Sequence, residues 1–120
     1  HVDLCLDTLT HNGGVTTTDA LWLGAPVLTM RRDDLPDRMG PSLLNAAGLP
    51  ELVAGDVDGF VQTAARIAGN SAFLSTLRQK VFHNQKTAPL FDTALYTKNL
   101  ETVLLDLWAK AVDNPFSNER

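Results

Sequence analysis

A cationic surplus, a second cysteine and a long apolar run are all missing from this sequence, and each absence closes off a class of function. Lysine and arginine total 10 against 14 aspartates and glutamates, whereas a chain that neutralises a phosphate backbone carries the opposite balance. Nucleic acid is therefore not expected as a partner. No apolar stretch nears the roughly 20 residues that cross a bilayer, nor does a charged-then-apolar leader open the sequence, so no membrane partner is expected. The one cysteine, Cys5, cannot form an internal disulfide and sits in an apolar run, where a small buried hydrophobe is its ordinary role. A soluble chain in a cytoplasmic setting fits. His1, His11 and His83 share no metal-ligand spacing, so no metal is expected.

What is present suffices for one modest core: 120 residues, 44% of them hydrophobic. The chain opens at His1 without a methionine and enters a strand almost at once. It reads as a piece of a longer protein, with 1–112 forming part of one lobe and 113–120 a polar tail.

Val2 to Leu6 is largely apolar, as a strand covered on both faces of a parallel sheet should be. A glycine-rich turn follows at Asn12 to Val15, then a helix from about Thr16 to Leu23 that stops at Gly24, then a second strand over Pro26 to Met30. Strand, short helix, strand is a βαβ unit with parallel strands and a right-handed crossover. A second helix is expected from about Asp37 to Ala47, either starting near Gly40 or kinked at Pro41. Glu51 to Ala54 gives a short third strand. Asp56 caps a helix with Val57, Phe60, Val61, Ala64, Ile67 and Ala68 at helical spacing. Further helices run from about Ser71 to Phe82 and from about Asp92 to Val112, the last with Leu100, Leu104, Leu107 and Trp108 on one side. The fold class is α/β, a short parallel sheet flanked by helices with a helical C-terminal end.

The chemistry is concentrated in the turn. Open parallel sheets bind ligands where strands run into helices, and a helix start offers unpaired N–H groups and the positive end of its dipole to an anion. Gly13 and Gly14 permit close approach, Thr16, Thr17 and Thr18 offer hydroxyls, and Asp19 stands one turn in, where a carboxylate accepts from ribose hydroxyls. The same residues fit a plainer account. Thr16-x-x-Asp19 is an acidic variant of the capping box, and paired glycines before a helix are ordinary turn chemistry. No lysine follows the glycines as in a Walker loop, and the pattern is not G-x-G-x-x-G. Arg31 and Arg32 read as a solvated face balanced by Asp33, Asp34 and Asp37, while Arg38 fits an ion pair or a site role equally well. His11 reads as an exposed loop residue.

The likeness extends beyond the turn. Asp3 to Thr8, then Asn12 to Met30, then Leu35 with Arg38 and Ser42, Gly48 to Ala54, and Pro89 to Thr93 with Tyr96, Thr97 and Trp108 resemble, in that order, the C-terminal catalytic lobe of the O-linked N-acetylglucosamine transferase family and its bacterial relatives. Nearly the whole chain to about Trp108 is covered. The resemblance implies a partial Rossmann-like lobe of a GT-B glycosyltransferase, in which two such lobes face each other. It also implies a UDP-sugar donor, a protein or peptide acceptor, and a partnering N-terminal lobe with tetratricopeptide repeats outside these residues. The family's Gly-or-His-Thr-Thr turn falls on Gly14, Val15 and Thr16, which implies contacts with the diphosphate, and its ribose-binding aspartate falls on Asp19. Gly13 and Thr17 complete the implied donor site. Val15 departs from the family's usual threonine, so a hydroxyl contact is lost there while a main-chain one survives. The base-binding and lysine positions of the family precede His1, and no catalytic residue is assigned. The implied reaction is transfer of N-acetylglucosamine to Ser or Thr of proteins, with these residues inactive alone. The alternatives are a related transferase using GDP-fucose or UDP-glucose, or a scaffold that has lost donor binding.

Overall fold

The computed structural model describes residues 2–113, so most of the polar tail expected over 113–120 lies outside it. Three parallel strands lie in the order β1 (Cys5–Leu6), β2 (Val27–Met30) and β3 (Val53–Ala54). Cys5 pairs with Val27 and Leu6 with Leu28, while Thr29 pairs with Val53 and Met30 with Ala54. All four residues of β2 are buried, as a strand flanked on both edges and covered on both faces must be.

The outer strands are shorter than their sequences suggest. Cys5 is half-buried and Leu6 is exposed, not covered on both faces as expected. The reason is positional: β1 is an edge strand among the described residues, with β2 on one side only. Glu51, expected in β3, belongs instead to a 3₁₀ turn over Pro50–Leu52, where Pro50 pre-sets the φ of a tight turn.

Helix α1 (Val15–Trp22) joins β1 to β2, and α2 (Met39–Ala46) joins β2 to β3. A 3₁₀ turn at Leu35–Arg38 feeds α2, so Pro41 falls in its first turn, where a missing N–H costs nothing. Helix α3 (Val57–Ala68) begins as expected, with the Asp56 carboxylate accepting from Gly59 N at 2.7 Å. It buries Phe60 and Ile67 and leaves Val57 and Val61 in solvent, a narrower stripe than the spacing predicts.

Helix α4 (Ser71–Asn84) is capped by Asn70, which accepts from Phe73 N at 2.9 Å, and it buries Leu77 and Val81. Its C-terminal end serves its neighbours. Asn84 Nδ2 donates to the Ala47 carbonyl beyond α2 at 2.8 Å. Gln85 Nε2 donates to the Leu21 and Trp22 carbonyls at the end of α1, at 2.8 and 2.9 Å. Leu21, Leu28, Leu44, Leu49 and Leu52 form the centre of the core.

Helix α5 (Thr93–Asp113) is a long arm. Its Leu100, Leu104, Leu107 and Trp108 are all exposed, and the molecule extends 59 Å along its longest axis. No helix of the described residues is long and apolar enough to cross a membrane.

Candidate functional site

The turn between β1 and α1 is built around one carboxylate. Asp7 leaves the end of β1 half-buried, and its Oδ1 accepts from Thr8 N at 2.9 Å and from Gly13 N at 2.8 Å. Its Oδ2 accepts from the Thr29 hydroxyl at 2.7 Å. One side chain thereby closes the loop on itself and ties it to the centre of the sheet. Thr8 Oγ1 donates to the His11 carbonyl, a further bond inside the loop. Asn12 is buried; its Nδ2 donates to the Thr8 carbonyl, and its Oδ1 accepts from Gly40 N at 3.2 Å. That second bond joins the turn to the first turn of α2.

These contacts explain two glycines. A Cβ on Gly13 would lie 2.5 Å from Thr16 Oγ1 and 2.9 Å from Thr17 Oγ1, so the two hydroxyls fold back over the bare backbone. A Cβ on Gly40 would strike the Thr29 hydroxyl and stand 2.7 Å from Asp7 Oδ2. Gly14 is the N-cap of α1, and a Cβ there would sit 3.8 Å from Met39 Cγ, so the two helix starts are neighbours.

No side chain caps α1. The N–H groups of Val15, Thr16 and Thr17 consequently have no partner within the helix. The capping box of the plainer account does not form: the helix begins at Val15, earlier than the spacing suggests, which leaves Gly14 at the cap and puts Thr16 inside. The plainer account of this turn therefore loses its main support, and the uncapped start keeps its main-chain donors.

The sequence-predicted residues separate by environment. Thr16 and Asp19 line one cleft of about 470 Å³. Asp19 also borders a second, of about 490 Å³, with Thr18, Trp22, Leu90, Phe91 and Thr93. Trp22 and Phe91 meet along it with their ring centroids 5.8 Å apart and their planes tilted by 46°. Thr17 is buried beneath the helix, which leaves it supporting the turn. Thr18 Oγ1 turns back to the Val15 carbonyl at 2.8 Å, which occupies it within the helix. Val15 is 75% exposed, an apolar side chain set in solvent at the mouth of the site.

Arginines surround the turn without entering it. Arg32 pairs with the buried Asp37 at 3.3 Å and donates to the Leu9 carbonyl at 3.2 Å, pinning the loop from outside. Arg38 forms no ion pair among the described residues; its Nε and Nη2 donate to the Asp33 carbonyl at 3.0 and 2.7 Å.

Sequence reasoning placed Asp7 and Asn12 in the turn without giving them a role, and it missed Thr29 and Gly40 as parts of the same site. A signal was present in β2, where Thr29 is the lone polar residue of an otherwise apolar strand.

A parallel strand running into an uncapped helix start, with clefts beside it, is the layout of a Rossmann-like lobe. The chain superposes on one such lobe, in a mutant of the O-GlcNAc transferase of Thermobaculum terrenum, with a TM-score of 0.87 and 31% identity over 95% of this chain and 22% of that one. The fold is thus a fragment of a GT-B catalytic lobe.

Residues 1–100 match glycosyl transferase family 41, and the chain belongs to that family. The UDP-N-acetylglucosamine--peptide N-acetylglucosaminyltransferase of Caenorhabditis elegans is 37% identical over 108 residues, 90% of this chain. A probable enzyme of the same description, SPINDLY of Solanum lycopersicum, is 34% identical over 112 residues, 93% of this chain. The chain spans 9% and 12% of the lengths of these two relatives.

Proposed function

We propose that the protein containing this chain transfers N-acetylglucosamine from UDP to Ser or Thr hydroxyls of proteins, and that Gly13, Gly14, Val15, Thr16, Thr17 and Asp19 form its donor site. The observation that carries this reading is the uncapped start of α1, set in a segment whose relatives are named as enzymes of that reaction.

In the transfer, the acceptor oxygen forms a bond to the anomeric carbon as the bond to the diphosphate breaks. UDP leaves with the bonding electron pair, and the hydroxyl proton passes to a base that we do not assign to this chain. Negative charge grows on the leaving diphosphate. The N–H groups of Val15, Thr16 and Thr17 and the dipole of α1 face that charge from fixed positions, a stabilisation that takes no metal. Thr16 adds a hydroxyl from the cleft that it shares with Asp19, whose carboxylate accepts from the ribose. Thr17 holds the turn from below.

The facing lobe and the repeats belong to the rest of the parent protein, with the exposed stripe of α5 available to pack against them. A cytoplasmic setting, with the lone Cys5 unpaired, goes with this reading. Because a GT-B site lies between two lobes, the isolated 120 residues are expected to transfer no sugar.

Val15 favours one competitor, a scaffold without donor binding, since it sets an apolar side chain where a hydroxyl would contact phosphate. Calorimetry of the full-length protein with UDP and GDP separates the readings. Saturable UDP binding, together with a turnover lowered more than about tenfold by Asp19→Ala or Thr16→Ala, supports the transferase. Binding of GDP alone moves the donor to a guanine nucleotide, and binding of neither establishes the scaffold.

A further inference from the structure

Two tethers hold the β1–α1 loop to the segment that leads into α2. The inner one is the buried bond from Gly40 N to Asn12 Oδ1. The outer one is Arg32, whose Nη1 donates to the Leu9 carbonyl at 3.2 Å while its Nε stands 3.3 Å from Asp37 Oδ2.

Asp37 is an unusual partner for an exposed arginine. It lies buried in the 3₁₀ turn before α2, and a carboxylate taken out of water is unfavourable unless both of its oxygens are engaged. Here one is not. Among the described residues Oδ1 of Asp37 is the sole buried side-chain polar atom without a hydrogen-bond partner, an exception that calls for a physical reason. Nor does Arg32 take this carboxylate for want of others. Asp33 and Asp34 follow it directly, exposed and in no ion pair among the described residues.

The pair is half of a fork. A guanidinium meets a carboxylate best through two parallel N–H···O bonds of about 2.7–2.9 Å, one from Nε and one from Nη2 on the same edge. The Nε contact of Arg32 is longer than that, its Nη2 has no hydrogen-bond partner among the described residues, and the oxygen that would accept from it is bare. Asp37 is held in place by burial and by its own N–H, which donates to the Asp34 carbonyl at 3.1 Å. The arginine side chain is 44% exposed, so it is the arginine that can move. Completing the fork would carry Nη1 along, and with it the Leu9 carbonyl.

We propose that Arg32 and Asp37 are positioning residues for the donor: as a nucleotide diphosphate fills the turn, the guanidinium seats on both carboxylate oxygens and fixes the loop at Leu9. This inference rests on the donor reading of the start of α1. The pair is close enough to act there, because Met39, two residues after Asp37, lies against Gly14 at the cap of α1. Stability alone gives no reason for the arrangement, since apolar residues of like size often serve a fold as well as a buried ion pair does.

The test is a double-mutant cycle on the full-length protein, with Arg32→Ala, Asp37→Asn and the two combined, read by calorimetry with UDP. Each single variant is expected to weaken UDP about tenfold, and the double variant to bind no more weakly than either. Affinity measured well below the melting midpoint reads the folded state alone. A pair that only stabilises the fold would lower the midpoint and leave the affinity unchanged; that result overturns the proposal, as do penalties that add in the double variant. Amide exchange at Gly13 and Gly40 reads the pair without nucleotide. Faster exchange at both in each single variant, in a protein that binds no UDP, keeps the pair as the tether of the loop and removes only the donor assignment. Unchanged exchange in such a protein overturns the pair as well.

Discussion

Asp7 is the residue on which the turn depends, because it accepts three hydrogen bonds from three different parts of the chain. Removing it strands the Thr29 hydroxyl in the core, at a cost of about 1–3 kcal/mol. Asp7→Asn should be milder than Asp7→Ala, since an amide oxygen still accepts from Gly13 N and its NH₂ can donate to the Thr29 hydroxyl. Amide exchange at Gly13, whose N–H the carboxylate accepts, and at Thr18, whose N–H bonds the Gly14 carbonyl, should therefore speed up strongly in the alanine variant and little in the asparagine one; equal exchange in both would show that the carboxylate does not organise the turn. None of this was legible in sequence. Gly13, Gly14 and the threonine run announce themselves locally, whereas the Asp7–Thr29 bond spans 22 positions and leaves only an odd hydroxyl in an apolar strand. The capping box was legible and did not form, because Gly14 takes the cap without any side chain.

At the scale of elements, the helices were read more accurately than the strands. Helical periodicity and the caps Asp56 and Asn70 are properties of neighbouring residues, while the extent of β1 and β3 is set by partners far along the chain. The reach of α4 also escaped the sequence: it was expected to end near Phe82 and runs to Asn84, where Gln85 caps the end of α1. Gln85→Ala should leave the Leu21 and Trp22 carbonyls to water, with a loss of about 1 kcal/mol and a melting midpoint lowered by about 4 °C. An unchanged midpoint in thermal unfolding would mean that water replaces the amide without cost.

At the scale of the whole molecule, α5 carries an apolar stripe that nothing among the described residues covers. Exposed apolar surface of this kind marks a contact with another body. The isolated chain is expected to bind an apolar dye and to self-associate in sedimentation, and the pair Leu100→Lys and Leu104→Lys to suppress both. A monomeric chain that does not enhance the dye would show that the stripe is too narrow to drive association. The periodicity of this helix was plain in the sequence. What covers it was not, since amphipathic spacing is the same whether a helix packs on its own core or on a neighbour.

Asn12 bonds backward to the Thr8 carbonyl and forward to Gly40 N, and so measures the loop on one side and the approach of α2 on the other. The number of residues between Thr8 and Asn12 is consequently as constrained as their identity. A single insertion there would pull Asn12 out of register with both partners. In relatives of this chain, loops of a different length after β1 should accompany a different residue at position 12 or at position 40.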